Sequence, residues 1–336
     1  MTLVLKHCED RERWDQFVSN SPHGNVFCRS LFLDALRTDI DLLMLEDNGQ
    51  PQVGAVVVKR DGRPICAPHP CTMYQGVLIA ESYLKMPVHQ RVPRVLNVLD
   101  CLIRELESRY DRISLCLSPR FEDLRSFSWF HYHEPDLGRF KIELYYTGLV
   151  DLTSPPDFET YLGSIRRNRR REHLQAVSQH LRIEESQEID TLDHLHRLTY
   201  ARQGVERDAE EGRLLRTISR AALAGKFGEL LVCRNENNQA IACTLFLYDE
   251  RCAYSLFAGN DPEFRNADAG TFLLLENIRR CQSRGLTFMD FCGMNSPRRG
   301  DFKAGFNAAP APYFVVTWDS PRPSNADPPS SSSAHP

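Results

Sequence analysis

One plan occurs twice in this chain. Residues 42–60, LLMLEDNGQPQVGAVVVKR, form an apolar run, an Asn/Gly-rich turn and a longer apolar run. Residues 230–251, LLVCRNENNQAIACTLFLYDER, do the same. That pattern predicts a β-hairpin in each place. A further strand is expected after each hairpin, over 73–80 and 252–259. Each is followed by a long amphipathic helix. In the first copy Val95, Leu96, Val98, Leu99, Leu102, Ile103 and Leu106 make the apolar face. In the second copy Phe272, Leu273, Leu275, Ile278 and Cys281 make it. Each helix leads into a strand, over 112–117 and 287–292. Order and spacing both recur, which points to two tandem α/β (α+β) units. A chance recurrence of common elements is the alternative. The boundary is expected within 149–156, where strand-like residues give way to Thr153-Ser154-Pro155-Pro156.

A chain of 336 residues accommodates two such units. We divide it into 1–150, 151–320 and a tail over 321–336. The tail, rich in Pro and Ser, lacks the apolar surface to offset its conformational entropy and is expected to be disordered. A net charge of −4 gives no global attraction to nucleic acid or membrane, and DNA is not an expected partner. No apolar run approaches the ~18 residues needed to span a bilayer. The N-terminal MTLVLKHCEDRERWDQF lacks a signal-peptide core, so a cytoplasmic location is expected. The eleven cysteines are scattered through apolar stretches without a C-x-x-C pair, which fits core thiols in a reducing compartment. His131/His133 and His194/His196 lack further partners at ligand spacing, and no metal is expected.

Between the copies, Arg166, Arg167, Arg169, Arg170 and Arg171 fall within six positions, with no apolar residue before Leu174. Such a helix face is expected to be solvated. A phosphate-bearing partner is the functional alternative, because guanidinium forks match phosphate oxygens. That partner would be tRNA, a nucleotide-linked acceptor or the 3′-phosphate of coenzyme A. No aromatic residues interleave the arginines, so base stacking is not indicated.

The stretch 288–313, FMDFCGMNSPRRGDFKAGFNAAPAPY, combines a strand, a polar loop with Arg298 and Arg299, and an amphipathic turn. Phe302 and Phe306 are four apart and share one face of that turn, which throws Lys303 onto another. FKAGFNAAPAPY after Asp290 and Gly293 resembles the closing motif of the FemAB-type peptidyltransferases and their acetyltransferase relatives in the GNAT superfamily. YSLFAGNDPEFRNADAGTFLLLENIRRCQSRGL fits the same pattern. The likeness is strongest over 151–319. In the first half, 14–32 and Tyr74-x-Gly76 match. The resemblance implies two GNAT-like domains, each a mixed, mostly antiparallel sheet flanked by helices. It implies N-acyl transfer to an amine acceptor, one candidate being nucleotide-linked. It also assigns Lys303 to the developing oxyanion. Phe302 would hold the turn, Gly305 would permit close approach, and Tyr74 and Gly76 would line a facing wall.

Acetyl-CoA enzymes of this superfamily carry Arg/Gln-x-x-Gly-x-Gly/Ala before the helix, whose amides hold the pyrophosphate. Here Arg265 and Gly270 fit, but Asp268 stands where glycine is expected. Its carboxylate is expected to cap the helix and would repel pyrophosphate. In the first copy the equivalent loop, read over 81–94, has no such motif. The donor is therefore either aminoacyl-tRNA or acetyl-CoA, with no tightly bound cofactor. An acetyltransferase acting on a sugar or polysaccharide precursor and a non-catalytic binding module remain the alternatives. No G-x-S-x-G elbow and no Walker loop occurs, which disfavours a hydrolase and an ATP-using ligase.

Overall fold

The computed structural model describes residues 2–60, 63–155 and 157–321. The tail expected over 321–336 lies, from residue 322 onward, outside the described residues. The first half runs β1 (Leu3–His7), α1 (Arg11–Asn20), α2 (Ser30–Ala35), β2 (Ile40–Asp47), β3 (Gln50–Arg60), β4 (Arg63–Cys66), β5 (Val77–Ile79), α3 (Val88–Glu107), β6 (Arg112–Cys116), α4 (Arg125–Ser128) and β7 (Lys141–Asp151). The second runs α5 (Phe158–Ser164), α6 (Arg167–Ser178), β8 (Arg182–Ser186), α7 (Ile189–Arg202), α8 (Ala209–Ala224), β9 (Gly228–Arg234), β10 (Ala240–Tyr248), β11 (Cys252–Asn260), α9 (Ala269–Ser283), β12 (Phe288–Asp290), α10 (Pro297–Ala304) and β13 (Ala309–Asp319).

Hairpin, strand, helix and strand thus occur in each half: β2–β3, β5, α3, β6 and β9–β10, β11, α9, β12. Asn48 and Gly49 turn the first hairpin with φ of 51° and 79°. Two positive φ values at a two-residue turn match the right-handed twist of the flanking strands. The sequence did not anticipate β4. It also placed the start of the first long helix too late: α3 begins at Val88 and carries Pro93 inside it. The loop read over 81–94 is correspondingly shorter, and a short 3₁₀ turn, Glu81–Lys85, fills most of it. On α3, Val98, Leu99, Leu102, Ile103 and Leu106 are buried, as the spacing requires.

One sheet runs through both halves in the order β1-β2-β3-β4-β6-β13-β7-β12-β11-β10-β9-β8, with β5 paired to β3. Pairing is antiparallel except for β4 with β6 and β11 with β12. The fold is two units of one plan in tandem, and their last strands are exchanged. β13 of the second half pairs with β6 of the first, and β7 of the first pairs with β12 of the second. β7 and β13 also pair with each other, from Ala309↔Leu149 to Thr317↔Lys141. Tyr145 faces Tyr313 at the middle of that ladder, with rings stacked 5.6 Å apart. The sheet is therefore unbroken at the expected 150/151 boundary.

The packing crosses between halves as well. One hydrophobic core joins Trp14, Phe27 and Phe32 to Leu214, Leu215 and Ile218 of α8. A second core lies under α5, α6 and α9 around Tyr161, Leu273, Ile278 and Phe306. No helix among the described residues is long and apolar enough to cross a membrane. All eleven cysteines are unpaired thiols.

Because the exchanged strands carry backbone bonds to both halves, the two halves are expected to unfold together. Urea unfolding followed by tryptophan fluorescence and by far-ultraviolet dichroism should give coincident single transitions. Two separated transitions would contradict an exchange that binds the halves into one unit.

Candidate functional site

β12 is held on both sides, by β11 with Tyr254↔Asp290 and by β7 with Asp290↔Leu149. The chain then leaves the sheet through Cys292 and Gly293, with φ of 52° and 110°. Gly293 takes up the left-handed turn without a Cβ penalty. The turn stays against β7: Phe291 N donates to Gly148 O at 2.9 Å and Met294 N to Tyr146 O at 2.7 Å. Tyr146 N in turn donates to Asn295 Oδ1 at 2.7 Å.

Asp290 sits at the base of this turn, 1% exposed. Tyr74 Oη donates to its Oδ2 at 2.7 Å, and Cys292 N to its Oδ1 at 2.7 Å. Thr147 Oγ1 also donates to Oδ1 and accepts from Gly293 N at 3.1 Å. Burial pushes the Asp290 pKa up, while the bonds from Thr147, Tyr74 and Cys292 pull it back in part. Burial likewise raises Tyr74 well above the usual phenol value. The Tyr74 ring meets Tyr313 edge-on at 5.4 Å, and Tyr313 stacks on Tyr145.

Lys303 lies on α10, which begins at Pro297 with Ser296 accepting from Arg299 N. Its Nζ donates to Phe291 O at 2.8 Å and to Gly293 O. The ammonium thus closes the turn that Asp290 opens. An ammonium has three protons, and two are committed to these carbonyls. Burial lowers the Lys303 pKa, with Arg299 adding to the effect and Cys292 and Asp290 opposing it. Phe302 and Phe306 pack edge-on at 5.2 Å, and Phe306 is fully buried against Phe291. These rings fix α10 as the spacing led us to expect.

The arginine run does not form one solvated face. Arg169 is only 13% exposed at its side chain. Its guanidinium stacks over Phe302 at 4.6 Å and donates to Glu172 Oε2 at 2.6 Å. Gly305 makes room for it: a Cβ there would stand 3.1 Å from Arg169 Cγ. Arg166 pairs with Asp301 at 2.8 Å and Arg170 donates to Gly163 O at 3.0 Å. Arg167 and Arg171 are exposed. The expectation failed because Glu172 follows the run and turns one guanidinium inward.

At the start of α9, Arg265 is exposed on a 3₁₀ turn. Asp268 takes left-handed φ of 56° and makes no capping bond, contrary to expectation. In that backbone its carboxylate does not return to the helix amides. Burial raises its pKa and Glu172 raises it further, while Arg169 and Arg171 pull it back in part. Glu172 also accepts from Thr271 Oγ1 at 2.6 Å. Two carboxylates therefore stand beside the first turn of α9. Gly270 packs against Asn260, where a Cβ would come 3.1 Å from Oδ1. Arg298 and Arg299 are exposed. Gly76 packs rather than lines a wall: a Cβ there would stand 3.0 Å from Cys116 O.

The structure therefore gathers Tyr74, Asp290, Lys303, Phe302, Gly305 and Arg169 around one turn. Arg167, on the same helix as Arg169, and Arg265, ahead of α9, face solvent. Sequence reasoning missed Thr147, Tyr145, Tyr313 and Glu172. The first three alternate along exchanged strands whose partners no local pattern discloses. Glu172 had a signal, its i,i+3 spacing from Arg169. Among the described residues no group of three or more His, Cys, Asp or Glu is placed to hold a metal.

Residues 161–304 match the family model described as acetyltransferase (GNAT) domain. A crystal structure of FemX superposes with a TM-score of 0.69 at 13% identity, covering 94% of this chain and 97% of that one. A tandem GNAT protein from the clavulanic acid biosynthesis pathway gives 0.55 at 12%, covering 96% and 100%. L-PGS from Bacillus licheniformis gives 0.54 at 11%, covering 94% and 93%. At these identities the likeness to the solved structures is one of fold. No curated protein matches the chain by sequence.

Tyr74→Phe removes one donor from the buried carboxylate and nothing else. A carboxyl group with a raised folded-state pKa gains stability as pH falls through that value. The variant should therefore lose about 1–3 kcal/mol above it and less below it, where Asp290 is protonated. Urea titrations at neutral and acidic pH measure this. A loss of the same size at both would show that Asp290 is not the group affected.

Proposed function

We propose, for a chain with the tandem GNAT fold of the FemAB-type acyltransferases, that it transfers an aminoacyl group from an ester donor to an amine. The carboxylates of Glu172 and Asp268 at the start of α9 carry this reading. In an acyl-CoA enzyme that helix end receives a pyrophosphate, because free amides and the helix dipole favour anions there. Here Glu172 and Asp268 put carboxyl groups where that anion would sit, with Arg169 and Arg171 offsetting part of their charge. An aminoacyl ester of tRNA is activated without a pyrophosphate. The division into 1–150 and 151–320 serves this reading as two units meeting at one cleft.

In the proposed reaction the acceptor amine attacks the ester carbonyl, whose oxygen becomes anionic. Collapse breaks the ester C–O bond, and the amine's proton ends on the departing ribose oxygen. Lys303 has one ammonium proton not committed to Phe291 O or Gly293 O, and we assign it to the developing oxyanion. Such a contact is stronger in the transition state than with the neutral carbonyl, as catalysis requires. Tyr145, half-buried and stacked on the buried Tyr313, offers an aromatic edge beside the turn for the donor or acceptor. Arg298 and Arg299, exposed at the start of α10, suit an acidic group on either.

Incubation with labelled acetyl-CoA and, separately, with a labelled aminoacyl-tRNA pool tests the donor. Label should leave tRNA for an amine acceptor and stay on coenzyme A; the reverse overturns the reading. Lys303→Met should lower transfer ~100-fold or more, the scale for one lost oxyanion donor. It should also cost about 1–3 kcal/mol of stability, since two carbonyls lose a charged donor. Full turnover in that variant would make Lys303 a structural residue only.

A further inference from the structure

A groove between the end of α2 and α8 has a volume of about 430 Å³. Five of its eight lining residues are arginines, Arg37, Arg207, Arg213, Arg216 and Arg220, and none of the eight is acidic. This concentration occurs in a chain of net charge −4. Three of the arginines follow one another at spacings of three and four on α8, so they share one helix face. Arg37 comes from the other half of the chain, just beyond α2, in a left-handed conformation with φ of 52°.

The groove has a fixed floor. Arg207 is 8% exposed and donates to Asp193 Oδ1 at 2.6 Å, with Arg216 on Oδ2 at 2.5 Å. Gly212 makes room for it, since a Cβ there would come 2.7 Å from Arg207 Nη2. Arg213 is bonded to Glu210 through its Nε at 2.8 Å. Arg37 and Arg220 have no carboxylate within ion-pair reach among the described residues. Asp193 and Glu210 engage Arg207, Arg216 and Arg213, and Asp190 also acts on Arg216, so the unpaired charge in the groove is that of Arg37 and Arg220. Mutual repulsion among them is relieved by an anion lying along the helix.

The spacing suits an extended polyanion. Arg213 to Arg220 spans about 10 Å of helix axis at 1.5 Å per residue, long enough to meet about two or three successive phosphates of a nucleic-acid strand. Tyr200 of α7 donates to Glu211 in the first turn of α8, which ties the start of the groove helix to α7.

We infer that this groove docks the phosphate backbone of an RNA, the body of the proposed aminoacyl donor, with its acylated end reaching Lys303. The inference rests on the donor reading above and adds where the RNA lies.

The test uses the full chain and an uncharged, fluorescent tRNA pool, so that binding is read without transfer. Arg37, Arg213 and Arg220→Gln together should weaken binding at least ~10-fold and flatten the log–log salt dependence by about two to three. Arg91, Arg104 and Arg109→Gln, an equal charge change on and beside α3, should have a much smaller effect. Thermal melts establish that both triple variants are folded. Equal losses in the two variants would overturn the groove, as would an unchanged salt slope in the first. Aminoacyl transfer from tRNA by wild type alongside either result would leave the donor reading standing and only the groove rejected. Wild type that binds neither tRNA nor transfers from it rejects both. Capture of phosphatidylglycerol vesicles, lost in the groove variant and without tRNA binding, would replace RNA by a lipid surface and overturn the inference.

Discussion

A buried carboxylate organises this molecule. Asp290 ends the last parallel strand, and its three donors come from three separate stretches of chain. An ionised carboxyl group is costly to bury unless its oxygens are bonded. The fold therefore has to bring Tyr74, Thr147 and the Cys292 amide to one point. Doing so fixes the turn at 292–293, and Lys303 then locks that turn from the other side by its bonds to Phe291 O and Gly293 O. Carboxylate, turn and ammonium form one unit in which each part loses its partners if another is removed.

That unit exists only because the halves exchange strands. Thr147 is on β7, which belongs by sequence to the first half and by pairing to β12. Tyr74 reaches Asp290 from the first half as well. A chain with two independent copies, each keeping its own last strand, would leave Asp290 short of donors. The stacked Tyr145 and Tyr313, equivalent positions of β7 and β13, mark the seam. Site and fold are coupled through the same eleven-residue strands.

Much of this was legible in the residues. The repeated hairpins, the amphipathic faces of α3 and α9, and the anchoring of α10 by Phe302 and Phe306 follow from local period, which short-range sterics and burial impose. The exchange of β7 and β13 was not legible, because pairing partners far apart in sequence leave no local mark. The same limit hid Thr147. The arginine run misled for a different reason: composition suggested solvent, yet one Glu at the right spacing and one Gly three residues after Phe302 draw Arg169 inside. Asp268 was expected as a cap, but capping depends on backbone conformation, and a left-handed φ removes it.

The central proposal is that the carboxyl groups at the start of α9 leave no seat for a pyrophosphate, so that the acyl group would arrive on something other than coenzyme A. Isothermal titration of coenzyme A into the purified chain tests it most directly. The account predicts no saturable heat at millimolar ligand. Saturable binding in the micromolar range would contradict it, and would return the chain to the acyl-CoA enzymes.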